Sequence, residues 1–342
     1  MVGPPAIGVV LGGGGIAGYA FHAAVLAALE DRTGFDPRTA SVVVGTSAGS
    51  IAGAVIRGDV PAAALRERLA SIHDNPRELA DLRLLAGRSP RAIPRFWAGP
   101  SSPGLAVREL RQGRNLRLTK LVGGLLPQGR LTLGPIREPL ERLHRDRWPD
   151  RQLWVPATDL ATGHRVVFGR DEYPTVADAV TASCALPGFF APARVGERTY
   201  IDGGLASPFN ADLLVGHMTP DERPLDLVIV IAPLSIDELR RGQPMASAVR
   251  SLPRRRLHGE VRRLGDAGAQ TMVIQPGRAV ARAMGLNPMD PNRVRAIMAR
   301  AEELVDRQLV VTDEAVRNVL EEAARTLPSP ADVAYPRPLD RV

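Results

Sequence analysis

Ser47 stands in Gly45-Thr46-Ser47-Ala48-Gly49, after the apolar run Ser41-Val42-Val43-Val44 and ahead of a small-residue stretch with no charge before Arg57. A β-rich run, a glycine-flanked serine and a helical run together predict a strand-turn-helix elbow. Such an elbow lifts a hydroxyl onto a sharp turn at a helix N-terminus, where a nucleophile sits. In a chain with 33 glycines the pentapeptide alone does not decide the matter. Its context is Gly12-Gly13-Gly14-Gly15, which follows the strand-like Ile7-Gly8-Val9-Val10-Leu11 and opens a helical stretch expected from about Gly18 to Asp31. Consecutive glycines expose backbone N–H groups in a concave loop and the helix end adds partial positive charge, so Gly13, Gly14 and Gly15 read as donors to a developing oxyanion. The same residues fit the dinucleotide spacing Gly13-x-Gly15-x-x-Gly18, but that reading needs a carboxylate ending the second strand, and Val44 runs straight into the serine elbow. A third glycine-framed site lies downstream at Arg198-Thr199-Tyr200-Ile201-Asp202-Gly203-Gly204, where a short strand delivers an aspartate onto a turn. Alone it reads as a side chain bonding its own backbone. Three such sites, each ending a strand, are expected on one edge of a parallel sheet, where open α/β folds gather their chemistry.

In these features the sequence resembles the patatin-like phospholipases, serine acyl hydrolases that work with a Ser-Asp dyad. The resemblance covers about residues 6 to 276 and rests on Gly12 to Gly18, Gly45 to Gly49 and Asp202 to Gly204, in that order. Ala157-Thr158-Asp159-Leu160-Ala161-Thr162-Gly163 and Ala182-Ser183-Cys184-Ala185-Leu186-Pro187-Gly188-Phe189-Phe190 also look like the family's. One departure is Ala17, where many members carry Arg or Lys; it removes any anion contact made by that side chain and leaves the backbone donors in place. The resemblance implies an α/β fold of three layers, α/β/α, with a central mostly parallel sheet and a helical cap insertion. It implies that Asp202 takes the proton of Ser47, that Ser47 attacks an ester carbonyl, and that water releases a fatty acid from the acyl-enzyme. The expected substrate is a phospholipid or another fatty-acyl ester, with no metal or organic cofactor. Two alternatives stay open: an acyltransferase in which an alcohol replaces water, and a non-catalytic lipid-binding or scaffold protein.

An α/β-hydrolase triad is the nearest chemical rival, since it also runs Ser, Asp, His along the chain. The elbow at residue 47 comes too early for it, and neither His217 nor His258 sits in a glycine-framed turn. His22 reads as packed on the first helix, and His73, His144 and His164 as surface positions.

A chain of 342 residues with 44% hydrophobic content can bury one large core. Cys184, the sole cysteine, excludes an internal disulfide and reads as a buried free thiol. The N-terminus shows no basic region followed by a hydrophobic core, and no apolar run approaches about 18 residues. A cytoplasmic protein is expected, with any membrane contact peripheral. The net charge of +7 suits an anionic surface, yet Lys120 is the only lysine, aromatics are 4%, and no nucleic-acid motif accompanies the charge. A local signal is Arg254-Arg255-Arg256-Leu257-His258-Gly259-Glu260-Val261-Arg262-Arg263-Leu264, whose Leu257, Val261 and Leu264 recur at helical spacing beside five arginines. That pattern fits an interfacial helix, although an ordinary solvated helix is preferred.

The expected organisation is one catalytic domain over residues 6–290, with a proline-broken helical cap inserted at 59–148. Phe96 and Trp97 lie at its centre, as an acyl-chain contact or as core packing. The runs Leu225–Ala232 and Thr271–Ile274 suit central parallel strands. Residues 291–326 read as two helices meeting near Thr312 as an N-cap, and residues 327–342 as a disordered tail.

Overall fold

Short runs of aliphatic residues, buried on both faces, build the middle of an eight-stranded sheet. The computed structural model describes residues 4–87, 129, 131–220, 222–236 and 244–326. In chain order the elements are β1 (Ile7–Leu11), α1 (Gly15–Thr33), β2 (Val42–Gly45), α2 (Ala48–Arg57), α3 (Ala62–Ala70), α4 (Pro76–Leu85) and α5 (Gly134–His144). They continue with β3 (Gln152–Asp159), β4 (Arg165–Phe168), α6 (Val176–Cys184), β5 (Ala193–Val195), β6 (Arg198–Asp202) and β7 (Leu227–Ile231). The last are α7 (Pro244–Asp266), β8 (Gln270–Ile274), α8 (Arg278–Met284), α9 (Val294–Val311) and α10 (Glu314–Thr326). Phe96, Trp97, most of the centre of the expected cap and the tail 327–342 lie outside the described residues.

The strand order is β5-β6-β3-β2-β1-β7-β8, with β4 paired to β3 off that path. Strands β3, β2, β1, β7 and β8 run parallel, whereas β4 and β6 pair antiparallel to β3. The fold is therefore α/β with a mostly parallel sheet between helices. The period-two alternation of a strand divides the core. Ile7, Val9 and Leu11 face the cluster built on α1, α2 and α9, while Val10, Val42, Val44, Val228 and Val230 face Leu257 and Leu264 of α7. Fully burying one such aliphatic side chain contributes about 1.5–3 kcal/mol.

Two expectations change here, and one alternative falls away. Strand β8 takes an edge position instead of a central one, consistent with its half-exposed start at Gln270 and Thr271. Thr312 ends α9 rather than starting α10: its Oγ1 donates to the Gln308 carbonyl at 2.7 Å, and Asp313 is the residue that accepts the Ala315 amide, at 2.8 Å. The apolar side of the basic segment is core, since Leu257 and Leu264 are fully buried against the sheet. That side of α7 is unavailable to a lipid surface.

The sheet register carries the third glycine site to the other two. Strand β3 is long; its first part, through Trp154 opposite Val44, lies in the parallel sheet, and its second part projects beyond that edge to pair with β6. Strand β6 returns antiparallel and ends with Asp202 opposite Ala157. Asp202 therefore arrives beyond the end of the parallel pairing, on the side where β2 runs into the Ser47 elbow. The three sites do share one edge, but Asp202 arrives from an antiparallel strand, which the local pattern of residues 198–202 does not encode.

Candidate active site

Ser47 occupies the expected elbow between β2 and α2. Its backbone takes φ 50° and ψ −120°, a left-handed region that an L-residue adopts at a cost of about 1–3 kcal/mol. Hydrogen bonds hold the strain in place: the Thr46 amide donates to the Leu11 carbonyl at 2.9 Å, the Gly49 amide to the Thr46 carbonyl at 2.8 Å, and Ser50 Oγ to the Ser47 carbonyl at 2.6 Å. The elbow presses directly on β1. A Cβ on Gly49 would lie 2.0 Å from the Leu11 carbonyl oxygen, so only glycine fits. Ser47 is partly exposed while Thr46 and Ala48 on either side are buried, so the turn presents the one hydroxyl outward.

Asp202 faces that hydroxyl. Its carboxylate accepts the Gly204 amide at 2.6 Å and lies close enough to the Ser47 side chain for that hydroxyl to lower its pKa. The residue is 3% exposed, and burial pushes its pKa up to about 6, with the Gly204 amide and the nearby Ser47 hydroxyl holding it back from rising further. Its backbone is fixed on both sides, the amide donating to the Ala185 carbonyl at 3.1 Å and the carbonyl accepting from Thr158 Oγ1 at 3.2 Å. Thr158 and Ala185 belong to the two additional stretches singled out in the sequence. Gly203 and Gly204 form the turn that follows, with Gly204 supplying the amide.

The glycine loop differs in one respect from expectation. The Gly13 amide donates to the Pro208 carbonyl at 2.8 Å and the Gly12 amide to the Ile231 carbonyl at 2.9 Å, so neither is available to an oxyanion. Among the described residues no protein acceptor meets the amides of Gly14 and Gly15, which open α1; the helix begins here, earlier than Gly18, and Gly18 donates back to the Gly14 carbonyl at 2.9 Å. Gly15 sits at φ +61°, where an added Cβ would also meet Met289 Sδ at 2.7 Å. A Cβ added at Gly13 would lie 3.6 Å from the Ser47 Cβ, which puts the loop directly beside the serine. Ala17, in place of the expected basic residue, is buried and its amide donates to the Pro288 carbonyl at 2.9 Å. Gly45 closes β2 under the elbow.

Two residues next to the site were quoted in the sequence without a role. Ser183 Oγ accepts the Ser47 amide at 3.0 Å. Cys184 is a buried free thiol whose Sγ lies 3.8 Å from Ser50 Oγ; burial and the charge of Asp202 push its pKa up, so it stays protonated. A further buried network supports the loop from below. Asn210 Nδ2 donates to Thr46 Oγ1 at 3.0 Å and to the Ser207 carbonyl at 2.6 Å, and Ser207 Oγ donates to the fully buried Glu260 of α7 at 2.6 Å. No motif pointed to Asn210, Ser207 or Glu260, because only the fold brings these separated segments together. The histidines lie apart from the dyad. His217 stacks edge-on against Trp154 at 4.8 Å and His258 is exposed; among the described residues no histidine bonds Ser47 or Asp202. His22 and His144, one expected on the first helix and the other at the surface, are both buried, and each reaches a backbone carbonyl.

A strained serine at the end of a parallel strand, a glycine loop on the neighbouring strand and a buried aspartate beside the serine make up the candidate site. The family model of the patatin-like phospholipases matches residues 9–215, which include all three, and the chain belongs to that family. It is 31% identical over 223 residues to uncharacterised NTE family proteins of Mycobacterium bovis and Mycobacterium tuberculosis, covering 62% of this chain and 48% of theirs. The chain thus spans about half the length of those curated relatives. Among solved structures it is similar to VipD from Legionella pneumophila, with a TM-score of 0.39 and 16% identity over 89% of this chain and 67% of that one. It is also similar to the ExoU–SpcU complex of the type III secretion system of Pseudomonas aeruginosa, with a TM-score of 0.35 and 18% identity over 95% of this chain and 58% of that one. Among the described residues no helix is long and apolar enough to cross a membrane.

Proposed function

We propose that the protein is a lipid acyl hydrolase that cleaves fatty-acyl esters, including phospholipids or lysophospholipids, through a Ser47 acyl-enzyme. The observation that carries the reading is the Ser47 hydroxyl standing beside the buried carboxylate of Asp202, next to two amides that open a helix. Asp202 removes the hydroxyl proton as Ser47 Oγ bonds to the ester carbonyl carbon. The carbonyl oxygen becomes an anion, and the Gly14 and Gly15 amides receive it; a donor of this kind is worth about 3–4 kcal/mol in serine hydrolases. Collapse breaks the bond to the leaving alcohol, which takes the proton from Asp202. In the second half the carboxylate deprotonates water, the water oxygen bonds to the acyl carbon, and the fatty acid leaves as Ser47 regains its proton.

The dyad does without a histidine because burial has already brought the carboxyl to about 6, close enough to neutrality for proton transfer in both directions. The deciding experiment is incubation with a fluorophosphonate followed by peptide mass spectrometry. Label on Ser47, absent in Ser47→Ala and strongly slowed in Asp202→Asn, is expected. A wild-type protein that takes no label and hydrolyses no ester would overturn the reading.

A further inference from the structure

His22 lies within α1, fully buried, among neighbours that are small or apolar: Ala20, Phe21, Ala23 and Ala24. Its Nε2 is 2.6 Å from the Gly12 carbonyl oxygen. A carbonyl only accepts, so Nε2 carries the proton and Nδ1 presents a bare lone pair. That Nδ1 is buried with no partner among the described residues. A position required only to fill space would be served by an apolar side chain, as at its neighbours, without leaving an acceptor unmet. Burial also pushes the imidazole pKa down to about 4, so the ring stays a neutral donor at physiological pH.

The bond has a particular target. The Gly12 carbonyl and the Gly13 amide belong to one peptide unit, and its other end donates to the Pro208 carbonyl at 2.8 Å. That unit is gripped at both ends. The Pro208 side is itself fixed, because Ser207 Oγ accepts the amides of Phe209 and Asn210 and donates to Glu260. Glycines have no side chains to restrain their peptide planes, and rotation of the Gly12–Gly13 unit would carry the following amides of Gly14 and Gly15 away from Ser47.

We infer that His22 is a positioning residue that locks the Gly12–Gly13 peptide and so aims the Gly14 and Gly15 amides at the oxyanion formed over Ser47. The inference rests on the hydrolase reading above. Its consequence is selective: the lock serves the transition state, so its loss lowers kcat and leaves ground-state binding nearly intact.

The test uses the full chain, a short soluble p-nitrophenyl ester, and rates divided by the serine titratable to completion with a fluorophosphonate. His22→Met has similar length and no donor; its kcat should fall about 10- to 100-fold with KM within about twofold. His22→Gln, which can place an amide N–H near the Nε2 position, should recover most of the rate, and His22→Asn, which is too short, should not. If the Met variant does not fold, the contrast between Gln and Asn remains decisive. Wild-type kcat in the Met variant, or equal rates in Gln and Asn, would overturn the positioning role alone. A wild-type protein that is neither labelled nor active would overturn this role together with the hydrolase reading.

Discussion

The backbone amide of Ser47 donates to the hydroxyl of Ser183 at 3.0 Å, so the residue proposed as nucleophile is tethered through its main chain to the end of helix α6. Ser47 precedes the first turn of α2, so its amide has no place in that helix, and Ser183 is what meets it. The next residue, Cys184, packs against Ser50 on α2, so α6 and α2 are joined on both sides of the elbow.

Ser183→Ala is therefore expected to leave a partly buried amide unpaired at Ser47. The cost should be about 1–3 kcal/mol in chemical denaturation, with a lower kcat on a soluble ester. Stability and turnover both equal to wild type would show that the tether is dispensable.

Asp202 links stability to pH in a direction opposite to that of most carboxylates. Burial holds its folded-state pKa at about 6, above the ordinary value, so the folded protein binds the proton more tightly than the unfolded chain. Between roughly pH 4 and pH 6 stability falls as pH rises, and the loss persists above that window. Asp202→Asn removes the buried charge and should stabilise the fold by about 1–3 kcal/mol at pH 8, with the gain shrinking toward zero near pH 4, while ester hydrolysis is nearly lost. An Asn variant less stable than wild type at pH 8 would count against this account.

The motifs around Ser47 and Asp202 were legible because each is local: a β run, a small residue and a glycine turn at fixed spacing. The parallel core strand over Leu227–Ile231 was legible from its unbroken apolar run. The antiparallel approach of β6 was not, since residues 198–202 carry the same signature in either direction, and the direction follows from the projection of β3 past the sheet edge. Gly13 looked equivalent to Gly14 and Gly15, and only the return of the chain at Pro208 takes its amide out of use. His22 was visible as a core histidine; the carbonyl it holds lies ten residues earlier, across a turn whose shape no spacing predicts.

The same carboxyl sets the pH–rate profile. With Asp202 as the base, kcat/KM on a neutral soluble ester should rise about tenfold per unit at low pH, bend near pH 6 and stay level through pH 8. Every single histidine variant should retain this bend, that at His22 included, since its loss lowers the rate without touching the base. A plateau reached only near pH 8, or a bend that moves on replacing His217 or His258, would assign proton transfer to another group.

Helix α7 separates its structural charge from its surface charge. Glu260 is fully buried, accepting from Ser207 Oγ at 2.6 Å, the Ala211 amide at 2.9 Å and Arg256 Nε at 2.8 Å, so it joins the helix to the loop that holds the Gly13 amide. Glu260→Ala leaves those donors unpaired around a new cavity. It should cost about 3 kcal/mol or more and depress hydrolysis of even a soluble ester. Arg255 and Arg262 are exposed on the same helix, and their joint replacement by Gln should leave stability within about 0.5 kcal/mol and soluble-ester hydrolysis unchanged. Because Leu257 and Leu264 are committed to the core, the attraction of the basic segment around Arg255 and Arg262 to acidic vesicles is electrostatic. It should weaken in the double Gln variant and fade in high salt. Vesicle binding that survives both the double replacement and high salt would place the lipid contact on another surface of the protein.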